Sequence, residues 1–264
     1  MKIGIIGMGH LGKATLEGLL KSGVAPEEIF VNARTEKTLK ALEEAYPGIA
    51  VRSDKRDLVS NVEVLIIIVR PQDASEVMSE LKEFDLSNKT LISLMAGVRI
   101  SEMREMLQDQ QRKYRIIRMM PNVGVALCKG VIGVSIDGDK EEYGQELELF
   151  SKMGYLVYLP EDQLESITIT AASGVGFAAY LMKQYQDACD RLIKDPIVSE
   201  EITKRVFETT IDLVRKDQST FEKLIEQIST KGGTTEAGLG VMINSELGDI
   251  VNRSFDEAIS RVKK

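Results

Sequence analysis

The sequence predicts an α/β fold, a doubly wound and mostly parallel sheet over residues 1–160, followed by an all-helical region over residues 161–264. Three observations carry that expectation. Short β-branched runs alternate with helical stretches rich in Leu, Glu, Lys and Met up to about residue 160, the pattern of parallel strands joined by crossover helices. The run Val64-Leu65-Ile66-Ile67-Ile68-Val69 is apolar at every position, as a central strand covered on both faces requires. From Glu161 the β-branched runs stop, and apolar residues recur at helical spacing through Ala171, Tyr180, Leu181, Tyr185, Ala188 and Leu192.

In chain order, strands are expected near 2–6, 28–32, 64–69, 90–94, 115–119, 131–136 and 155–158. Between them helices are expected near 11–22, 35–45, 73–83, 99–110 and 140–152. Further helices near 199–216, 219–229, 234–245 and 247–262 are set apart by Asp195-Pro196 and by Lys231-Gly232-Gly233, residue types that stop helices and make turns. The long apolar stripes of a helical module this small predict burial against a second copy, so a homodimer or higher homo-oligomer through the C-terminal helices is expected.

Composition excludes several function classes. The chain of 264 residues carries 34 Lys and Arg against 41 Asp and Glu, a net charge of -7, and no basic stretch tracks a nucleic-acid backbone. No nucleic-acid partner is expected. The longest unbroken apolar run, Val64 to Val69, falls far short of the roughly 20 residues that span a bilayer, so no membrane is expected either. Met1-Lys2-Ile3-Gly4-Ile5-Ile6-Gly7 runs straight into a strand pattern with no small-residue cleavage site, which makes the cytoplasm the expected compartment. Two isolated cysteines and a single His supply neither a disulfide framework nor a metal cluster. No metal is expected, and the chemistry must come from a bound organic cofactor.

The motif that names such a cofactor is Gly7-Met8-Gly9-His10-Leu11-Gly12, between the first strand and the first helix. In a dinucleotide-binding turn the first Gly permits the tight bend, the second lets the backbone approach a pyrophosphate, and the third lets helix and strand pack closely. The free N–H groups of the helix start then face the phosphates. A Rossmann-like fold is therefore expected. His10 could touch a phosphate or simply fill the helix start. The second strand ends Asn32-Ala33-Arg34-Thr35 with no acid for ribose hydroxyls, and Arg34 offers a guanidinium to a 2′-phosphate. NADPH is thus favoured, with NADH a weaker ligand. Lys37 adds charge nearby or faces solvent.

Four further segments resemble pyrroline-5-carboxylate reductase. Val69-Arg70-Pro71-Gln72 is similar to that family's V-K-P-Q, Ser93 to Val98 to its S-x-x-A-G-V, and Arg118-Met119-Met120-Pro121-Asn122 to its R-x-M-P-N element beside the nicotinamide. Gly232-Gly233-Thr234-Thr235 with Ala237-Gly238-Leu239 resembles its G-G-T-T-x-A-G-L loop and helix start. The resemblance implies NADPH-dependent reduction of 1-pyrroline-5-carboxylate to L-proline, with a small cyclic imine carboxylate as substrate. It adds Val69, Arg70, Pro71, Gln72, Met95, Ala96, Gly97, Pro121 and Asn122 to the cofactor-binding residues. Reducing a cyclic imine needs a hydride donor, a hydrogen bond to the nitrogen and an anchor for the carboxylate, and no metal. The N–H groups of Gly232, Gly233 and Thr234, ahead of a helix starting near Thr235, form a carboxylate cradle. The resemblance puts the Thr235 hydroxyl near the imine nitrogen, as a catalytic group or an orienting one. Both threonines could equally cap the helix.

The chain departs from the family pattern in three places. It reads Pro121-Asn122-Val123-Gly124-Val125-Ala126 where P-N-T-P-A is usual, and Ser173-Gly174-Val175-Gly176-Phe177-Ala178-Ala179-Tyr180 where S-G-S-G-P-A-Y is usual. Glu236 stands where an apolar residue is common. If its carboxylate turned into the pocket it would repel a substrate carboxylate; turned outward it would favour the helix start. Two other readings stay open on these grounds. One is a hydroxyacid-type dehydrogenase, in which Gly174 and Gly176 match a helix-start motif, with Tyr180 at the position of its catalytic lysine and Lys183 almost a turn later. The other is a non-catalytic paralogue that binds NADPH.

Overall fold

The computed structural model describes residues 1–109, 111 and 113–262. The chain divides into two compact units, Met1–Ala172 and Ser173–Lys264.

The first unit opens with β1 (Ile3–Ile6), α1 (His10–Lys21), β2 (Ile29–Asn32) and α2 (Glu36–Ala45), then β3 (Ala50–Val51) and α3 (Lys55–Ser60). It continues through β4 (Val64–Ile67), α4 (Ala74–Leu81), β5 (Thr90–Ser93), α5 (Ile100–Met106) and β6 (Arg115–Pro121). It closes with β7 (Gly130–Ile136), α6 (Gly144–Ser151), β8 (Gly154–Tyr158) and the single turn α7 (Glu165–Ile167), which runs into a π-helical stretch at Thr168–Ser173. The eight strands form one sheet in the order β3-β2-β1-β4-β5-β6-β7-β8, parallel throughout except where β7 runs against β6. Chain order reverses between β1 and β4, which makes the ends of those strands the switch point where ligands of open α/β sheets bind.

β4 shows why the sheet forms as the sequence predicts. All four of its residues are buried, Val64 and Ile66 in one apolar cluster with Leu16, Leu19 and Phe150, and Leu65 and Ile67 in another with Leu58, Met78 and Leu81. A strand with this alternation has no polar face to give to water, so helices cover it on both sides.

The seven expected strands are present, and β3, α3 and the single turn α7 appear in addition. β3 is a two-residue edge strand paired to β2 through Phe30 and Val31, too short to display alternation in sequence. α3 begins on an Asp54 cap that accepts the Arg56 N–H at 2.8 Å, and its polar first turn hides the apolar Leu58 and Val59 behind it. The expected helix 99–110 is shorter: it ends at Met106, and Gln108 follows in a left-handed conformation at φ 55°. Residue 110 lies outside the described residues.

The second unit is helical throughout: α8 (Gly174–Ile193), α9 (Pro196–Lys216), α10 (Phe221–Ile228), α11 (Thr234–Ile243) and α12 (Leu247–Val262). Lys194 ends α8 in a left-handed cap, and Asp195 starts α9 by accepting the Ile197 and Val198 N–H groups at 3.0 and 3.2 Å, with Pro196 in the first turn. That cap starts α9 three residues before the expected boundary. Tyr185 meets Phe207 edge to face at 5.5 Å, and Phe177 packs on Phe255 at 5.3 Å. These contacts leave much apolar surface uncovered: Leu192 is 83% exposed, Ile197 82% and Val241 74%. One helical run, Glu161–Ile193, is long and apolar enough by length and composition to cross a membrane, with a mean hydropathy of 1.2.

Candidate active site

Three glycines shape the turn after β1. Gly7 adopts φ +103°, and a Cβ there would stand 2.0 Å from the Ile68 carbonyl oxygen. A Cβ on Gly12 would stand 2.1 Å from the Gly7 carbonyl oxygen, so α1 packs against the turn only because that position is bare. Gly9 caps α1 with nothing within 4 Å of its Cβ direction. The first intrahelical bond is Lys13 N–H to Gly9 O at 3.0 Å, so the N–H groups of His10, Leu11 and Gly12 precede it and point out of the helix start. An open approach over bare backbone, ahead of unpaired N–H groups, fits a pyrophosphate. Met8 and Leu11 contribute backbone only, because the Met8 side chain is buried in the core and Leu11 packs on it. His10 is exposed.

A cleft of about 550 Å³ runs from this turn along the ends of β2 and β4. Among the expected cofactor-binding residues it is lined by Gly7, Met8, Gly9, Asn32, Arg34, Thr35, Val69 and Arg70. Pro71 and Gln72 are exposed just beyond it, in the turn before α4. Two of the lining side chains are committed internally. The Asn32 amide donates to the Arg52 and Ser53 carbonyls at 2.8 and 3.1 Å, holding the chain that follows β3. Thr35 caps α2 by accepting the Thr38 N–H at 3.3 Å.

Arg34 is 68% exposed at the open end of the cleft, and its Nη2 donates to Asp73 Oδ2 at 2.6 Å. Arg70 Nε donates to the same oxygen at 3.0 Å. The Arg70 and Arg34 guanidiniums hold the Asp73 carboxyl below its ordinary range. Asp73, from the turn between β4 and α4, therefore holds two cations side by side. Sequence reasoning missed it, since nothing in the motif links a residue 39 positions away to Arg34.

The ends of β5 and β6 carry the remaining expected contacts. Met95 is 1% exposed, with its side chain in the core, so side chain and backbone are both covered. Gly97 turns at φ +71° with open space over its Cα, and Ala96 is half-buried beside Met120. Pro121 ends β6 in register with Ile132. The Asn122 side chain is committed internally: its amide donates to the Ala171 carbonyl at 3.1 Å, and its oxygen accepts the Gly124 and Val131 N–H groups at 3.1 Å. It fastens the chain, and its backbone is bonded too: the N–H donates to the Val131 carbonyl at 3.0 Å and the carbonyl accepts the Val125 N–H at 3.3 Å.

In the second unit the Gly232-Gly233-Thr234-Thr235 bend corrects the expected cradle. The Gly232 N–H donates to Glu236 Oε2 at 2.7 Å, and the Gly233 N–H to the Thr230 carbonyl at 2.9 Å. Two of the three cradle donors are thus bonded inside the loop. The first bond within α11 is Ala237 N–H to Gly233 O at 3.2 Å, which leaves the N–H groups of Thr234, Thr235 and Glu236 ahead of it. Glu236 folds back over the loop, the one direction that serves both its charge and an otherwise unpaired donor. Lys183 is paired to Asp187 at 2.5 Å on the exposed side of α8.

Residues 2–97 match the family described as NADP oxidoreductase coenzyme F420-dependent, and residues 161–264 match the pyrroline-5-carboxylate reductase dimerisation family. The chain belongs to the pyrroline-5-carboxylate reductase family. Among its relatives, pyrroline-5-carboxylate reductase 2 of Bacillus subtilis is 26% identical over 98% of this chain and 93% of its own length. The pyrroline-5-carboxylate reductase of Methanosarcina acetivorans is 35% identical over 67% of this chain and 65% of its own. The solved structure of a pyrroline-5-carboxylate reductase from Coxiella burnetii superposes with a TM-score of 0.87 at 25% identity, covering 99% of this chain and 97% of that one. As a member of this family the chain keeps both landmarks described above, the glycine turn and the Gly-Gly-Thr-Thr bend, in the two segments that match.

Proposed function

We propose that this chain reduces 1-pyrroline-5-carboxylate to L-proline with NADPH, as a cytoplasmic homodimer assembled through α8 to α12. The observation that carries the reading is a bare glycine turn leading into a cleft that ends on two arginines, in a chain whose relatives bear the reductase name. NADPH, when bound, supplies the hydride that the imine carbon accepts.

The chain's own residues bind and orient. Backbone N–H groups from Gly9 to Gly12 hold the pyrophosphate, Arg34 beside Arg70 holds the 2′-phosphate, and Val69 to Gln72 border the adenosine. NADH lacks the phosphate and binds less tightly. Met95, Ala96, Gly97, Pro121 and Asn122 border the nicotinamide end, with Gly97 the exposed point of contact. The N–H groups of Thr234 and Thr235 receive the substrate carboxylate at the start of α11. The Thr235 hydroxyl donates a hydrogen bond to the imine nitrogen and orients the C=N bond; an ordinary hydroxyl is too weak an acid to be the proton source by itself, so the proton that the nitrogen gains as the carbon takes the hydride comes from solvent water. The apolar run Glu161–Ile193 lies inside the matched dimerisation segment, which supports a protein partner over a bilayer as its cover.

The test is oxidation of NADPH by purified protein with pyrroline-5-carboxylate beside a panel of 2- and 3-oxo acids. Turnover with the imine alone is expected, and turnover with an oxo acid alone overturns the reading. Thr235→Ala should lower kcat/KM about 10- to 100-fold, the usual loss of one orienting hydrogen bond in a transition state, with NADPH affinity unchanged and Thr235→Ser restoring most of the rate. Unchanged catalysis would leave Thr235 as a helix cap alone.

A further inference from the structure

Arg118 of β6 is 1% exposed, and a charge taken that far from water needs a partner. Both partners come from the stretch that follows β8. Nη2 donates to Glu165 Oε1 at 2.5 Å and Nη1 to Glu161 Oε1 at 3.3 Å. Charge pairing alone does not account for the arrangement, because each of those oxygens also accepts a backbone N–H from the connection between β5 and α5. Gly97 donates to Glu165 Oε1 at 2.9 Å, and Ile100 donates to Glu161 Oε1 at 2.7 Å. Arg118 Nη2 reaches the Met95 carbonyl as well, at 3.4 Å. The connection is therefore tied down at Met95, Gly97 and Ile100 by three charged side chains from two other elements.

The element that carries Glu165 is itself seated firmly. Gly133 of β7 has no side chain, and a Cβ there would lie 2.8 Å from both Leu164 and Ile167. α7 lies directly on the sheet because that position is bare. The connection is free along the missing side chain of Gly97, which sits at φ +71° with nothing within 4 Å of its Cβ direction. A turn fixed from below and open above has the form of a platform.

We propose that Glu165 is a positioning residue for hydride transfer. Through the Gly97 N–H it sets the height of the Met95–Gly97 turn, and Arg118 neutralises it and ties it to β6. The inference rests on the functional reading above, which puts that turn at the nicotinamide end. Small displacements there act on the chemical step, because hydride transfer depends on the donor and acceptor carbons being in near-attack contact.

Three variants and the wild-type chain test this, first without nucleotide by amide hydrogen exchange, then by NADPH titration, then by kinetics with NADPH and its 4-deuterated form. In Glu165→Ala the Gly97 amide should exchange at least about 10-fold faster, as expected when a bond that held a turn closed is gone, while β1 to β4 exchange as in the wild type. Its kcat should fall about 10-fold with a larger deuterium isotope effect, since a misplaced donor slows the hydride step itself. NADPH affinity should change by less than about 3-fold, and Glu165→Gln, which keeps an acceptor oxygen in place, should restore both protection and most of the rate. If Glu165→Ala fails to fold, Glu165→Asp, one methylene shorter, should show the same pattern in reduced degree. Wild-type exchange and wild-type kcat in Glu165→Ala, or in Glu165→Asp where Ala does not fold, overturn the proposal. So does a fall in kcat that tracks NADPH affinity and thermal midpoint with an unchanged isotope effect, the mark of a merely structural role. A wild-type chain that binds NADPH yet leaves it unoxidised with the imine overturns the functional reading, and the positioning role with it; a wild type that turns over beside an equally fast Glu165→Ala overturns the positioning role alone.

Discussion

Arg34 spends one of its five donors on Asp73 and keeps a planar fork for a phosphate. Replacing it should therefore act on one cofactor and not the other. Arg34→Ala is expected to weaken NADPH about 10- to 100-fold, the range for one or two charge-assisted bonds, and NADH by less than about 3-fold. Fluorescence titration with each nucleotide checks this, and equal weakening would remove Arg34 from the 2′-phosphate. The tether survives at neutral pH: a carboxyl held below its ordinary value stays ionised until the pH falls beneath that value. At this scale the sequence exposed residue types but not their commitments. Asn32 and Asn122 are polar and correctly adjacent to the cleft or its continuation, yet their amides are consumed by Arg52, Ser53 and Ala171. Side-chain polarity states that a partner is needed and leaves open which partner arrives. Gly232 shows the same limit, since only folding reveals that Glu236 turns back onto it.

Elements were easier to read where periodicity was long. β4 and the helices on either side of it follow from alternation and from 3.6-residue spacing. β3 and α3 did not follow, being two and six residues long, below the length at which a period registers. The joints between elements carry chemistry of their own. Tyr46, just after α2, donates its phenol to Glu17 of α1 at 2.7 Å, and that bond, with desolvation and the Glu17 charge, pushes its pKa up to about 12. A raised pKa means that the folded chain keeps this proton more firmly than the unfolded chain does. Its contribution to stability is complete below about pH 10, the ordinary tyrosine value, and is lost as the pH climbs through about 12. Tyr46→Phe should accordingly unfold at lower urea than the wild type at neutral pH, with the gap closing in alkaline solution. A gap independent of pH would assign the effect to packing alone.

The molecule as a whole leaves its helical unit with more apolar surface than a lone chain holds in water. Ile197, Leu192 and Val241 are more than 70% exposed, and contiguous patches of that kind mark contacts with a partner. Sedimentation at micromolar concentration should give a dimer or larger closed assembly, and Val241→Glu with Ile243→Glu on α11 should shift it toward monomer. Persistence of the assembly would move the interface elsewhere. This association was legible in the stripes of α8 and α9, while the number of copies was not, because a stripe specifies surface and not symmetry.

All the residues that line the nucleotide cleft, from Ile6 to Val77, precede Ala172, and the whole Gly-Gly-Thr-Thr bend follows it. If the proposed function holds, grip on the hydride carrier and choice of the acid are encoded in separate stretches of the gene product. On the proposed reading, drift in the later stretch retunes which ring is accepted while the earlier one goes on recognising the same dinucleotide.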